Sequence, residues 1–185
     1  LLGAVTVPIN ARYQPPELAY VVENADLKAL FTTDKIVEAV NFVERLNQAF
    51  PDLAGQDQKA LNLAGAPLLR QIVIYGGSEN DAMLSEDQFH ALADQGDLDA
   101  LHLARLQVRL GSTALILYTS GTTANPKGCM ISHEAIVRNS AALADRYELA
   151  RDDSFWSPLP MFHIAAILPM VSIFSKFGTY VTMGY

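Results

Sequence analysis

Residues 119 to 128 read Thr-Ser-Gly-Thr-Thr-Ala-Asn-Pro-Lys-Gly, a stretch that gathers hydroxyls, glycines and a lysine and contains no acid. Hydroxyl and backbone N–H groups are the donors a phosphate chain needs. Glycine lets the backbone approach closely, and lysine adds a mobile point charge. Between Asp99 and Glu134 the only charged side chains, with histidine neutral, are Arg105, Arg109 and Lys127. This window suits a bound polyphosphate. A solvated turn has a similar composition, but the apolar run Thr113 to Tyr118 points straight into the segment and favours a positioned loop.

The Walker pattern G-x-x-x-x-G-K-[ST] is the natural comparison, and it fails. Pro126 precedes Lys127 and removes a backbone N–H, while Gly128 follows where Ser or Thr is needed. The residues after Lys127 (Cys129 to Ile131) read as a short strand, not the helix N-terminus that a Walker cradle uses. Other motifs carry less. His133-Glu134 begins like the zinc pattern H-E-x-x-H, but position 137 is Val. His90 and His102 have no ligand spacing. Cys129 reads as inert packing in an apolar strand, and Phe155, Trp156 and Phe162 read as core because no basic residues interleave with them. No metal site is expected.

The elements that must position this loop alternate regularly. Short β-branched runs and helical patterns follow one another, which predicts an α/β fold of layered βαβ units with a mainly parallel sheet flanked by helices. Strands are expected at Ala4 to Ile9, Leu27 to Thr32, Gln71 to Tyr75, Thr113 to Tyr118 and Tyr180 to Met183, with an extended segment at 154 to 162. A helix opened by Pro15-Pro16 should run to Asn24. Asp34 should cap another, with Ile36, Val40, Val43, Leu46 and Phe50 on its buried stripe. Ser85-x-x-Gln88 resembles a capping box. Ser132 should cap a helix with Glu134 in its first turn, and Ile164 to Phe177 should form a helix stopped by Gly178. No boundary is visible inside the chain.

Composition narrows the partners. The chain has 185 residues, 13 Lys+Arg against 20 Asp+Glu, a formal charge of -7 and one Cys. That balance argues against a nucleic-acid surface, whose affinity rests on many basic contacts. A single Cys and the lack of a signal-like segment read as cytoplasmic. The apolar stretch Ile164 to Phe174 is shorter than the ~20 residues of a membrane span and contains Pro169. Both ends of the chain fall in apolar runs and no Met precedes Leu1, so the sequence reads as a piece of a longer protein.

Leu117 to Gly128 (LYTSGTTANPKG) resembles the signature phosphate loop Y-T-S-G-T-T-G-x-P-K-G of the adenylate-forming superfamily, which includes acyl-CoA synthetases, peptide-synthetase adenylation domains and luciferases. His133 falls where that family commonly has a His. Pro158-Leu159-Pro160-Met161-Phe162-His163 resembles the family's P-x-x-H element, and residues 3 to 34 resemble its early region. Ala124 departs from the usual Gly, where a positive φ would cost about 1 kcal/mol.

The resemblance implies that residues 1–185 are part of a large N-terminal AMP-binding domain, with the phosphate loop at 118–128 and an acyl-pocket element at 158–163. The C-terminal lid domain and the downstream adenine, ribose and Mg²⁺ elements would lie outside it. It implies a ligase forming carbon–sulfur bonds in fatty acid metabolism, an AMP-forming acyl-CoA synthetase that uses ATP, Mg²⁺ and CoA on a small carboxylic acid. A peptide-synthetase-type domain loading a carrier protein and a non-catalytic nucleotide-binding module are the alternatives; a homodimer is an allowed assembly. Thr119, Ser120, Gly121, Thr122, Thr123, Lys127 and Gly128 are implied to hold ATP phosphates. Lys127 and His163 are implied to act in the reaction, His163 by orienting the carboxylate end of the acid.

Overall fold

A computed structural model describes residues 2–34, 40–76, 80–119 and 125–182. Where the sequence shows no boundary, tertiary contacts divide these residues into two units. One comprises residues 9–98 with 125–126, the other residues 2–8, 99–119 and 127–182.

The first unit begins with helix α1 (Pro15–Asn24), whose Glu17 carboxylate accepts from the Gln14 N–H at 2.9 Å. Strand β1 (Ala29–Thr33) follows, then helix α2 (Phe42–Ala49). The α2 cap is Asn41, whose Oδ1 accepts from the Glu44 N–H at 2.9 Å. The expected start at Asp34 is thus replaced: Val40 precedes the helix, Ile36 lies outside the described residues, and Leu46 and Phe50 supply the buried stripe. Strands β2 (Gln71–Tyr75) and β3 (Leu84–Ser85) complete a parallel sheet in the order β1-β2-β3, with Ala29 opposite Gln71 and Val73 opposite Leu84. Strand β3 is too short to register as a pattern in the sequence. The capping box does appear, at the start of α3 (Glu86–Ala91), where the Ser85 Oγ accepts from Gln88 N–H and the Gln88 Oε1 from Ser85 N–H.

The second unit contains α4 (Leu98–Gln107), which buries none of its residues, then β4 (Thr113–Thr119) and β5 (Lys127–Ser132), α5 (His133–Arg146), β6 (Ser154–Ser157), α6 (Ile164–Ser175) and β7 (Thr179–Thr182). Strands β6 and β7 pair in parallel across α6, a βαβ unit. Strands β4 and β5 pair antiparallel, the one antiparallel pair among the described strands, whose other pairings are parallel as expected. The expected strand Ala4 to Ile9 contracts to one parallel bridge, Thr6 with Leu115, made by Thr6 N–H to Ala114 O and Ile116 N–H to Thr6 O. Pro8 has no N–H with which to extend it.

Helices α1, α5 and α6 end in the same way. The residue after the cap has a positive φ, and the next N–H reaches back to the third-last helical carbonyl: Leu27 N–H to Val22 O, Leu149 N–H to Ala144 O and Gly178 N–H to Ile173 O. The positive-φ residues are Asp26 (52°), Glu148 (53°) and Phe177 (63°), none of them glycine. Gly178 therefore does not serve the left-handed position the sequence suggests for a helix stop. It is needed for close approach, since a Cβ there would lie 2.5 Å from Ile173 Cδ1 and 2.6 Å from the Asp153 carbonyl oxygen.

A side chain in the left-handed region costs about 1 kcal/mol relative to glycine. Glu148→Gly is accordingly expected to raise the chemical-denaturation midpoint, whereas Gly178→Ala should lower it. A Glu148→Gly midpoint below that of the parent sequence would show that the strain is absent.

Candidate phosphate-loop site

The site is built on the β4–β5 hairpin. Its ladder places Thr113 opposite Ser132, Leu115 opposite Ile131, Leu117 opposite Cys129, Tyr118 opposite Gly128 and Thr119 opposite Lys127. The segment 120–126 therefore connects two residues that are already paired. Thr119 Oγ1 lies 3.5 Å from the Lys127 carbonyl oxygen, and both residues are exposed.

Directly opposed residues on an antiparallel pair share a face. Thr119 and Lys127 thus sit on the side that carries Leu115, Leu117 and Ile131. Below them that side is closed by Ile164, Ile167 and Val171 of α6 and Ile136 of α5. The α6 residues recur at intervals of three and four, the spacing of one helical stripe. The other face of β5 is open, with Met130 71% exposed. Cys129 is exposed rather than packed, and Trp156 is 60% exposed rather than core. Phe155 is part-buried and stacks on Tyr180 with ring centroids 6.3 Å apart. Phe162 is also only part-buried.

Gly128 meets a steric requirement of its own. A Cβ there would stand 3.1 Å from Ile116 Cγ2 and 3.1 Å from the Tyr118 ring. The aromatic ring of Tyr118 lies over the backbone opposite, filling the space that a side chain at 128 would need.

The hairpin also determines which charges can reach the loop. Helix α5 starts after Ser132, whose Oγ accepts from the Ala135 N–H at 3.2 Å. Ser132 pairs with Thr113, at the end of the ladder away from the loop. At about 3.4 Å per strand residue, the positive end of α5 is roughly 17 Å from Lys127. A helix dipole falls off within its first turn, so this loop is not a Walker-type helix cradle. Glu134, the first acid after the window, is paired with Arg138 at 2.8 Å. The Arg109 guanidinium donates to the Leu106 carbonyl at 3.2 Å, and Lys127 is the first residue of β5, at the loop's edge.

Of the residues expected to bind phosphate, Thr119, Lys127 and Gly128 come together at the end of the hairpin. Ser120, Gly121, Thr122 and Thr123 lie outside the described residues, as does Ala124. His163 stands on another element, as the N-cap of α6; its carbonyl accepts from the Ala166 N–H at 3.0 Å, and its exposed ring lies 5.7 Å from that of Phe162. His133 is the first residue of α5, and its Nε2 is buried with no hydrogen-bond partner among the described residues. Sequence reasoning passed over Tyr118. The recoverable signal was a bulky residue facing a glycine across a strand pair, but this needs the register to be known first.

A family model described as AMP-binding enzyme matches residues 1–184. The acyl-CoA ligase sidI of Aspergillus fumigatus is 30% identical over 175 residues, which cover 93% of this chain and 28% of that protein. The long-chain-fatty-acid–CoA ligase FadD13 of Mycobacterium tuberculosis is 26% identical over 173 residues, covering 92% of this chain and 28% of its own. The crystal structure of the N-terminal domain of FACL13 from Mycobacterium tuberculosis superposes with a TM-score of 0.63 at 22% identity, covering 98% of this chain and 38% of that one. The chain thus spans less than a third of the length of these curated relatives.

Overfilling a packed site costs about 1–3 kcal/mol. Gly128→Val should lower the unfolding free energy by that amount, and Tyr118→Ala in the same chain should recover most of the loss. Strictly additive effects in the double-mutant cycle would mean that the ring and the glycine do not share the space.

Proposed function

Because the chain belongs to the AMP-binding enzyme family, we propose that the polypeptide it comes from is an ATP-dependent acid:thiol ligase, an acyl-CoA synthetase. The observation that carries this reading is a hydroxyl-rich, acid-free loop closed by a paired threonine and lysine. In the first step a carboxylate oxygen attacks the α-phosphorus of ATP. The bond to the bridging oxygen breaks, and acyl-AMP and pyrophosphate form. In the second, a thiolate attacks the acyl carbon and AMP leaves with the former carboxylate oxygen. The curated relatives named above both carry CoA ligase in their names, which supports free CoA as the acceptor.

Negative charge builds on the departing pyrophosphate in the first step. In this proposal the hydroxyls and amides of Thr119, Ser120, Gly121, Thr122, Thr123 and Gly128 donate to the β- and γ-phosphates, and the Lys127 ammonium follows the charge as it moves. His163, exposed at the N-cap of α6, orients the carboxylate end of the acid. Among the described residues no group of three or more His, Cys, Asp and Glu side chains could hold a metal ion. No helix among them is long and apolar enough to cross a membrane.

Carboxylate-dependent exchange of labelled pyrophosphate into ATP by the full-length protein is the direct test. Removing one preorganised donor from such a step costs about 10²–10³ in rate. Lys127→Ala should slow exchange on that scale while leaving the melting temperature nearly unchanged, because an exposed lysine adds little to a core. Normal exchange in a destabilised Lys127→Ala protein would remove the phosphate role. His163→Trp should alter the preference among short-, medium- and long-chain acids, and an unchanged profile would take His163 out of the acyl site.

A further inference from the structure

Helix α6 is almost wholly apolar (IAAILPMVSIFS), yet it buries a serine completely: Ser172 is 0% exposed. Its partner across the helix pair, Ser140 of α5, is 1% exposed. Alanine would fill either position, and a buried hydroxyl is unfavourable unless it is bonded. Both are bonded. Ser172 Oγ lies 2.8 Å from the Ser140 carbonyl and 2.7 Å from the Leu168 carbonyl, sharing its single proton between them, and Ser140 Oγ donates to the Leu168 carbonyl at 3.3 Å. From the other side, the Tyr180 hydroxyl of β7 donates to the Ala166 carbonyl at 3.2 Å.

Two of the three carbonyls these hydroxyls hold, those of Ala166 and Leu168, lie just before Pro169, which sits inside α6. Proline has no N–H for the carbonyl four residues earlier, here Ala165, so one rung of the helical ladder is missing between the first turn and the rest. The first turn is the one that His163 caps. Its attachment therefore rests on Tyr180 of β7 at the Ala166 carbonyl and, next to the proline, on Ser140 of α5 and Ser172 at the Leu168 carbonyl, as well as on its own helix. Helix α5 continues directly from β5, whose first residue is Lys127.

We propose that Ser140, Ser172 and Tyr180 are positioning residues that hold the His163 turn in register with the phosphate-loop hairpin. The proposal rests on the acyl-CoA synthetase reading for its kinetic consequence, though not for its structural one. Directional bonds serve this purpose where apolar packing cannot, because a leucine-rich interface tolerates sliding along the helix axis and a hydroxyl-to-carbonyl contact does not.

The test uses the full-length protein with Tyr180→Phe, Ser140→Ala and Ser172→Ala, singly and combined. Each hydrogen bond lost should raise the KM for the carboxylic acid by about two- to tenfold, leaving the KM for ATP within about twofold. Amide hydrogen exchange should accelerate at Phe162 to Ile167 and stay unchanged at Lys127 to Ser132. Acid and ATP constants that rise together, or a lowered melting temperature with both constants unchanged, would reduce these residues to a structural role. Unaltered exchange at Phe162 to Ile167 would overturn the proposal outright. A wild-type protein that shows no carboxylate-dependent pyrophosphate exchange would defeat the functional reading, and the amide exchange would then decide the positioning role alone.

Discussion

The register of β4 on β5 is the constraint from which the site follows. With a side-chain period of two, Thr119 opposite Lys127 and Leu115 opposite Ile131 are one geometric fact. Slipping the ladder by one residue would turn Leu115 and Leu117 to solvent and drive their neighbours against α6. Each large apolar side chain kept from water is worth about 1.5–3 kcal/mol. The Thr119 Oγ1 contact at 3.5 Å is at the outer limit of a hydrogen bond. Thr119 and Lys127 thus owe their pairing to aliphatic contacts further along the same strands.

This explains which parts of the molecule could be read from the sequence. Periodic patterns with their own caps survive intact: Pro15–Asn24, the Ser85 capping box, Gln71–Tyr75 and the helix after Ser132 all form as expected. Helix ends were harder. The chain places Asp26, Glu148 and Phe177 in the left-handed position usually taken by glycine, and an acidic or aromatic residue there gives no stop signal. Strand direction was equally hidden. The run Thr113 to Tyr118 is apolar enough for a strand buried on both faces, but an apolar run does not distinguish that from one covered face. The structure buries Leu115 and Leu117 on one side, and Met130 on the opposite face is exposed.

The site itself was legible as chemistry before it was legible as geometry. Residue types around Lys127 suit the proposed phosphate chain, which wants hydroxyls, glycine and one cation without an acid. Nothing in those residues says that the loop closes a hairpin, because the partner of Lys127 is fixed by the apolar residues further along both strands. Ser140 and Ser172 fall outside motif reading for a related reason. A serine in an apolar helix looks like an ordinary small residue until its carbonyl partners are known to lie beside a proline.

A hairpin differs from a helix N-terminus in how it can hold an anion. A helix offers aligned N–H groups and a fixed positive end worth about 0.3–1 kcal/mol at an exposed site, but here that end lies at the far side of β5. For the proposed reaction the donors must therefore come from the loop and from Lys127. Placing the lysine at the first paired residue of β5 fixes its Cα through the ladder and leaves its four-carbon stem free. A rigid guanidinium fork would match one phosphate geometry well. In the proposed reaction an ammonium on a mobile stem can stay with the negative charge as it passes from the intact triphosphate to the departing pyrophosphate, and a contribution larger in the transition state than in the ground state is the difference that accelerates a reaction.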